Sequence, residues 1–549
     1  MTSLFRHRAF GAPADNRESH TPMLIQPRRR HRPVTLGFAA AIVLVSVGIS
    51  TVEAAEPRSM SLKDCVDEAL SRNFDLQIDR INPRIAAYAL SSTYADWDPS
   101  LSFNVQHSFA TDSGGLDSQN RPYNGSESET DTLSGSLGGV LPTGMTYSLS
   151  ANASDTYGTK PGLDPTNPLG GLIPVPFGNS RAQWTVANLR QPLLKNFWID
   201  STRLNLRTRR NDLASSRYAV ALTALNTVSQ VEQAYFDLVA TLENVRNQQK
   251  ALELAQRLYS DNRRKVEIGA LAQLDEKEAQ SQVASSRASL IAAQAAVDLA
   301  QNALKRLITD RFELEEIPDI RPSDPLNVAP APLDIQTSRD RGLRTRPDLQ
   351  QLSLTLENRK MASRFQRNQL YPQLDVVGGM GYTGNGGEFS DSLGQVGDGS
   401  VPFHSIGAVL TVPLSNRRAR ENYRTGEAQR EQIELQIRRL RQEIVVQVAD
   451  AMNNAKSSFE RVGATLEARQ YAEAALSAEE KKLASGKSTS FIVLQLQQRL
   501  TIARFDELRT QADYNKSLST LRLREGSTLD YHHIQLPESP VESPKPATH

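Results

Sequence analysis

The sequence predicts a mainly α-helical protein made of two internal structural repeats, each carrying a β insert whose strands suit a membrane β-barrel. Three observations lead to this fold class. Apolar residues recur every seventh place along two proline-free stretches, at about 203–269 and 416–486. The second stretch reproduces the first 217 residues later, including the glycine at its end. Each repeat also contains a region where the apolar period changes from helical to alternating.

The composition is that of a helical chain with almost no net charge. Its 549 residues include 63 basic and 62 acidic side chains, and only 6% are aromatic. Because nucleic-acid binding favours a strongly basic face, this balance argues against a nucleic-acid partner. The single cysteine, Cys65, excludes an intrachain disulfide and a multi-cysteine metal site, and we expect it to be a small buried residue.

Residues 1–54 are predicted to be a signal peptide with a basic n-region. The apolar stretch 34–49 follows a run of arginines and precedes small residues, so cleavage is expected after Ala54. Met23 is an alternative start. No other stretch has the length and composition of a membrane helix. We therefore expect the exported chain to be periplasmic, secreted, or held in an outer membrane by β-strands.

Each repeat opens with an amphipathic helix that ends before a proline. The first helix is predicted at 61–96, before Pro99, and its counterpart at 343–369, before Pro372. Alternating segments follow, with about the ten-residue length that a tilted membrane strand needs, although a small soluble hairpin cap is an alternative. The first insert is the longer one and holds a further candidate hairpin at 133–153, whose strand pairing stays open.

The long heptad stretches are predicted to be helices packed as coiled coils. About 65 residues would span about 97 Å at about 1.5 Å per residue, which is too long for a globular core. A shorter helix turns back after each terminal glycine, and the seven-residue repeat of the second one is interrupted at Glu507. The predicted heptad positions are Val231, Leu238, Val245, Leu252, Tyr259 and Val266 in the first rod and Val448, Ala455, Val462, Arg469, Leu476 and Leu483 in the second, where Arg469 is the exception.

Helix lengths suggest how these elements pack. The helix before each hairpin and the helix after each terminal glycine are about 36 residues each, so two of them stacked end to end match one rod. An even-walled cylinder would result. The predicted boundaries are 55–310 for the first repeat with its insert at 100–190, 311–333 for a proline-rich connector, 334–526 for the second repeat with its insert at 373–413, and 527–549 for a disordered tail.

The order of these elements resembles the outer-membrane efflux proteins, of which TolC is the type member. The pattern occurs twice: a helix with Asp-Leu, a proline-closed helix end, a hairpin, Pro-Leu, a rod, a tip glycine and a return helix. Asp75-Leu76 and Asp348-Leu349 carry the first motif. The resemblance implies a TolC-like trimeric α-helical barrel topped by a transmembrane β-barrel in the outer membrane, with its helical portion in the periplasm.

The resemblance also implies partners and a function. The partners are two further copies of the chain, a periplasmic adaptor (membrane fusion) protein, an inner-membrane transporter and outer-membrane lipid. The function is that of the exit duct of a tripartite efflux or type I secretion system, which conducts substrates passively from the pump to the outside. A structural coiled-coil protein of the cell envelope is the alternative, but such a rod has no need of strands with one apolar face.

The glycines that end the rods are predicted to form the periplasmic tips that meet the adaptor. Glycine permits the left-handed backbone that closes a helix. The docking surface is expected within 265–274 and 483–491. Its predicted residues are Gly269, Ala270, Leu271, Leu274, Gly486, Lys487, Ser488 and Phe491.

A pore constriction is predicted just beyond the tips, at Asp275, Glu278 and Gln495. The family carries an aspartate six residues after the first tip glycine, which Asp275 matches. At the second tip, Ile492 and Gln495 stand where the family often has aspartates, so the predicted ring of carboxylates is weaker than the family pattern. An alternative is that Asp275 is an ordinary charge in the first turn of a helix.

Catalytic chemistry is not indicated by the sequence. Gly486-Lys487-Ser488 copies the end of a phosphate-binding loop, but Lys481 stands where the motif needs a glycine. The eight histidines are scattered, and no nucleophile with a base can be assembled. We therefore expect a protein that is not an enzyme and that uses no cofactor or metal.

Overall fold

Helices account for most of the chain, in the same order in each half. The computed structural model describes residues 58–166, 172–310 and 318–535, so the predicted signal peptide lies outside the described residues. The helices are α1 (Leu62–Arg72), α2 (Phe74–Tyr94), α3 (Ser201–Glu267), α4 (Gln273–Ile308), α5 (Ile335–Thr345), α6 (Pro347–Asn368), α7 (Phe389–Gly397), α8 (Arg417–Ala484), α9 (Ser490–Glu525) and α10 (Thr528–Tyr531).

The predicted rods correspond to α3 and α8, which have 67 and 68 residues, and the return helices α4 and α9 have 36 residues each. Among the described residues, no helix is both long enough and apolar enough to cross a membrane.

The helix that opens each repeat is broken rather than continuous. Asn73 ends α1 with an extended backbone and caps α2, because its side chain accepts a hydrogen bond from the backbone N–H of Leu76. In the second half, Arg346 precedes Pro347, and a residue before proline is pushed out of the helical region. The predictions of single helices at 61–96 and 343–369 are therefore wrong at these breaks.

One large antiparallel sheet contains the strands of both inserts. Its order is β2–β5–β6–β7–β9–β10, and the short β3 and β4 lie beside it. The candidate hairpin is β5–β6, and β5 also pairs with β2. Several strands exceed the predicted ten residues. The bounds are β2 (Ser100–Asp112), β3 (Gly115–Leu116), β4 (Pro122–Tyr123), β5 (Ser126–Val140), β6 (Thr146–Leu163), β7 (Leu172–Pro192), β9 (Gln373–Gly386) and β10 (Pro402–Thr411).

The helices stand side by side as four columns. The first column is α2 above α4, followed by α3, then α6 above α9, then α8. Hydrogen bonds mark each contact: Tyr94–Arg210 and Asn262–Asp275 join the first column to α3, Asn211–Asn358 and Asn247–Thr501 join α3 to the third column, and Thr465–Thr510 joins α9 to α8. These are the stacked pairs that the helix lengths predicted.

A belt at mid-height covers the junction of the stacked helices. Strands β1 (Arg58–Met60) and β8 (Ile320–Pro322) pair in parallel, and the amide of Gln301 bonds both backbone groups of Ile320. Cys65 is fully buried here with Val66, Tyr235 and Leu304. Burial raises the pKa of the Cys65 thiol to about 12, so the thiol stays protonated and unreactive.

A charged centre lies within the same belt. Glu232 of α3 is fully buried and accepts a hydrogen bond from the hydroxyl of Ser519. Nε2 of His532 lies 2.8 Å from its other oxygen, and Arg522 is 3.5 Å away. Residues 528–535 therefore fold onto α3 and α9. The predicted tail is wrong over this part, and 536–549 lie outside the described residues.

The buried face of α3 turns along the helix. The predicted heptad residues Val231 and Leu238 are fully buried, but the four later ones are only half-buried. Further down, the buried residues are Asn247, Ala255, Leu258 and Asn262. The predicted stripe is wrong for this lower part because α9 packs there beside α4.

Candidate functional site

The two rods end in turns of the same geometry. Gly269 and Gly486 both have φ of +74°, and a Cβ placed on either would meet no atom within 4 Å. The glycines are therefore needed for their backbone angle and not for space. In each turn, the next residue donates its N–H to a carbonyl five residues earlier, from Ala270 to Lys265 and from Lys487 to Lys482. This is the Schellman closure of a helix C-terminus.

The second tip has a polar contact that holds its turn. The hydroxyl of Ser488 donates to Glu479 at 2.6 Å, and Lys482 donates to the other carboxylate oxygen at 2.9 Å. The Ser488 bond and, less strongly, Lys482 keep the pKa of the Glu479 carboxyl below its ordinary value of 4.5. The carboxylate is therefore charged at neutral pH and fixes the turn to α8.

A buried amide joins the two tips. Asn262 is fully buried, seven residues before Gly269. Its Nδ2 donates to the backbone oxygen of Asp275 at 3.2 Å, and its Oδ1 accepts from the hydroxyl of Ser490 at 3.0 Å. Sequence reasoning missed this residue. The available signal was a polar residue one turn after Leu258, on the face that α3 buries.

The predicted docking residues lie at the extreme end of the helices and are mostly exposed. Leu274 and Phe491 expose 68% and 57% of their surface, and Ile268, which the prediction left out, exposes 78%. Leu271 and Ser488 are half-buried. The tip surface thus exposes several large apolar side chains close together, with the exposed Lys487 beside them.

The predicted constriction residues occupy different surroundings. Asp275 lies in the first turn of α4, followed by Glu276, whereas the first turn of α9 has no acidic residue. Asp275 and Glu278 are half-buried, and Gln495 is exposed. The structure therefore places the acidic residues on one tip, and Asp275 also has the position that the helix dipole favours.

Near the helices, the large sheet has one apolar face and one hydroxyl- and amide-bearing face. Farther along the strands, the first of these faces also carries His107, Glu129 and Asp131. The register places Leu101, Leu137 and Leu149 in one row across three strands, and Ser102, Ser136 and Ser150 in the next. Above them, Asn104, Ser134 and Asn152 form a further row. The apolar face is exposed, with 74% of Phe103 and 78% of Val105 accessible. A sheet with one polar face and one apolar face suits a boundary between water and lipid.

Both outer edges of the four-column wall expose apolar side chains. On the first column these are Phe74, Ile78, Ile81, Ile85, Tyr88, Ile291 and Leu299. On α8 they are Leu435, Val446, Leu466 and Tyr471. The two edges differ in sequence. A contact between one edge of this chain and the opposite edge of a second copy would therefore be head-to-tail.

Titratable groups are not gathered into a metal centre anywhere in the described parts of the chain, where no group of three or more His, Cys, Asp or Glu residues is arranged to hold an ion.

The family is settled by comparison with known proteins. A model of the outer membrane efflux protein family matches residues 146–309 and 339–527, which is well over half of the chain. The chain belongs to the outer membrane efflux protein family. The resemblance expected from the sequence is confirmed, and this family consists of outer-membrane channels, which are not enzymes. No curated protein matches the chain.

Solved structures share the fold of this efflux protein at low sequence identity. One similar chain is the CmeC outer membrane channel of Campylobacter jejuni. It has 16% sequence identity and a TM-score of 0.61, and the match covers 85% of this chain and 86% of that one. The VceC outer membrane protein of Vibrio cholerae has 17% sequence identity and a TM-score of 0.60, and the match covers 85% of this chain and 96% of that one. The MtrE outer membrane channel of Neisseria gonorrhoeae in its open state has 17% sequence identity and a TM-score of 0.58, and the match covers 85% of this chain and 88% of that one.

Proposed function

We propose that this outer membrane efflux protein is one subunit of a homotrimeric exit duct, which conducts substrates passively from an inner-membrane transporter to the outside. A periplasmic adaptor joins the transporter to the helical tips. The observation that carries the proposal is the pair of unlike apolar edges on the four-column wall. Three copies joined edge to edge would close a ring of twelve columns and cover the apolar side chains at every junction.

The sheet supports the outer-membrane end of this duct. Its order runs from β2 to β10 with neighbours antiparallel throughout, and each of these two strands pairs on one side only among the described residues. Because β2 and β10 run in opposite directions, β2 of one copy can pair antiparallel with β10 of the next. Three copies would close a transmembrane barrel with its apolar face toward lipid.

The helical tips support the adaptor-binding end. Both turns are closed by glycines at the same angle, and the exposed apolar residues Ile268, Leu274 and Phe491 surround them. These side chains, with Ala270, Leu271, Lys487 and Ser488, form the proposed docking surface. A structural envelope rod would have no use for such a surface or for a sheet with one apolar face.

Light scattering of the detergent-solubilised protein tests the assembly. A protein mass three times that of the mature chain is expected, and a monomeric mass would contradict the trimer. Gly269→Val with Gly486→Val tests the docking surface, since a branched residue at φ of +74° strains the turn. We expect loss of adaptor crosslinking in the double valine variant, with Gly463→Ala inside α8 as the matched control. Unchanged crosslinking would remove the tips from the adaptor contact.

The gate is proposed at the first tip. Three copies of Asp275 and Glu278 near the axis would make a ring of up to six carboxylates, which favours cations. Asp275→Asn with Glu278→Gln is therefore expected to lower cation preference in single-channel recordings, whereas Gln495→Ala leaves it unchanged. If the double variant keeps the parental reversal potential, these residues do not line the constriction.

A further inference from the structure

The two halves of the chain contribute unequally to the sheet. The second half supplies one pair of strands, β9 and β10, between α6 and α8. The first half supplies the equivalent pair, β2 and β7, between α2 and α3. In addition it supplies the hairpin β5–β6, which has no counterpart in the second half. Without this hairpin, each chain would bring four strands to a closed sheet.

The extra hairpin is part of the sheet and not a flap on its surface. β5 pairs with β2 over residues 126–138, and β6 pairs with β7 over nearly its whole length. The hairpin thus separates β2 from β7. Its two faces also continue the chemistry of the neighbouring strands: Leu137 aligns with Leu101 and Leu149, and Ser136 aligns with Ser102 and Ser150.

The short turn of the hairpin is held beside the end of β7. Residues 141–145 close it, with the N–H of Leu141 donating to the carbonyl of Met145 at 2.8 Å and Gly144 at φ of +83°. The amide of Gln191, near the end of β7, donates to the carbonyl of Thr143 at 3.4 Å. The turn therefore lies at the same level as the end of the strand beside it.

We propose that, in the trimeric duct, this hairpin enlarges the wall to eighteen strands and makes a wide conduit for bulky uncharged hydrophilic cargo. The inference rests on the proposed function, because closure needs the partner copies. Six strands from each of three copies give the eighteen.

The circumference of an eighteen-stranded wall matches that of the helical ring. Strands spaced about 4.8 Å apart and tilted by about 40° give a circumference of about 113 Å for eighteen strands and about 75 Å for twelve. Twelve helical columns spaced about 8–10 Å apart give about 96–120 Å. The wider sheet thus continues the helical wall without a taper.

The lining of this conduit carries few charges. The face opposite the leucine rows carries mostly hydroxyl and amide side chains. Its charged groups are Arg181 and the ion pair of Arg190 and Asp375, with Asp112 and Lys160 at the upper ends of β2 and β6. Arg181 bonds to the side chain of Asn385 at 3.2 Å. Because Asp375 is paired with Arg190, and Arg181 bonds the neutral side chain of Asn385, this lining carries little fixed charge below its upper end, and the sheet is permissive for neutral hydrophilic polymers.

The helix in the second insert leaves this lining open. Ser392 of α7 packs against Ser180 with their hydroxyls 2.9 Å apart, and both residues are fully buried. Ser180 shares its face with Ala182 and Trp184, which belong to the apolar side. α7 therefore covers the outer face of the sheet and does not enter the conduit.

Two adjacent residues of β5 provide the test. Ser136→Cys places a thiol on the hydroxyl face and Leu137→Cys places one on the leucine row, while the native Cys65 is fully buried and adds no background. A hydrophilic thiol reagent that does not cross the outer membrane is added to whole cells. We expect Ser136→Cys to react at least about tenfold faster than Leu137→Cys, because one faces water and the other lipid.

The same contrast is measured on β2 with Ser102→Cys and Phe103→Cys, which lie in the wall in either arrangement. Equal labelling of the β5 pair beside unequal labelling of the β2 pair would overturn the inference and leave the duct intact. Electron microscopy of the trimer in lipid nanodiscs gives the second reading: viewed down the axis, a backbone diameter of about 36 Å is expected, and about 24 Å would contradict it. Absence of a trimer or of unequal labelling on β2 would refute the proposed duct itself.

Discussion

The two rods have almost the same length but different surroundings. α3 lies between two columns of stacked helices, whereas α8 touches one such column and ends the wall. α3 accordingly buries polar residues along its length, at Glu232, Asn247 and Asn262. The residues 217 places later are Ala449, Ala464 and Glu479, none of which is fully buried. The number of neighbouring helical columns, rather than the heptad pattern that the two rods share, therefore decides which rod carries buried polar contacts.

The largest expected difference is at Glu232. Glu232→Ala would leave the Ser519 hydroxyl, His532 and Arg522 without their shared acceptor, and breaking such a buried charged contact costs about 3 kcal/mol. We expect a clear fall in the urea midpoint of the solubilised protein. Glu232→Gln, which keeps hydrogen-bonding capacity, should lose less. Ala449→Ser on α8 is the matched control and should change little; equal losses in the two rods would break the comparison.

The next difference is at the tips, where equivalent positions hold different residues. Asn262→Ala leaves the hydroxyl of the buried Ser490 and the backbone oxygen of Asp275 without this hydrogen bond, at a cost of about 2 kcal/mol. Glu479→Ala removes a more exposed contact and should cost less. Hydrogen exchange measured by mass spectrometry should therefore speed up at the starts of both α4 and α9 in the first variant. In the second, we expect faster exchange only at residues 485–489.

The third difference is an ion pair between the second rod, α8, and its return helix, α9. The two residues that interrupt the heptad pattern, Arg469 and Glu507, contact each other at 2.5 Å across α8 and α9. Arg469→Leu leaves Glu507 without its partner and should cost about 1–2 kcal/mol. Glu507→Leu should cost less, because Arg469 keeps its ion pair with Glu473 at 2.9 Å, and the double variant should be less destabilised than the sum of the two. A double-mutant cycle on thermal midpoints measures the coupling, and additive losses would mean that the two side chains do not act as a pair.

The smallest difference is a pH dependence confined to the second tip. The Ser488 hydroxyl, followed by Lys482, lowers the pKa of Glu479, so this contact stabilises the turn above pH 4.5. Its contribution is lost as the pH falls below 4.5 through the lowered pKa. Hydrogen exchange at 485–489 should accelerate in that range, and Ser488→Ala should weaken the dependence. The first-tip turn at 268–271 is the internal control, and an equal acid response there would show that Glu479 is not the cause.

Much of the fold could be predicted because its signals are local. The tip glycines follow from the positions where the heptads stop. The alternation of leucine with serine or glycine in β5 identifies, within a few residues, a strand with one face toward water and the other apolar. The break at Asn73 was missed even though Asn is a common helix cap, because the apolar period runs through it. The docking and constriction residues remain predictions, since their roles depend on an axis and on partners outside a single chain.

What the sequence by itself determined was the set of elements: two heptad rods, their tip turns at Gly269 and Gly486, and the strand-forming inserts. Only the tertiary structure decided which residues meet across them. The heptad pattern could not show that Arg469 and Glu507 pair, that Asn262 reaches Ser490, or that β5–β6 separates β2 from β7. A periodic pattern reports which side of an element is buried, because that depends on neighbours along the chain. The partner on that side is 38 residues away for Glu507 and 228 for Ser490, and packing alone selects it.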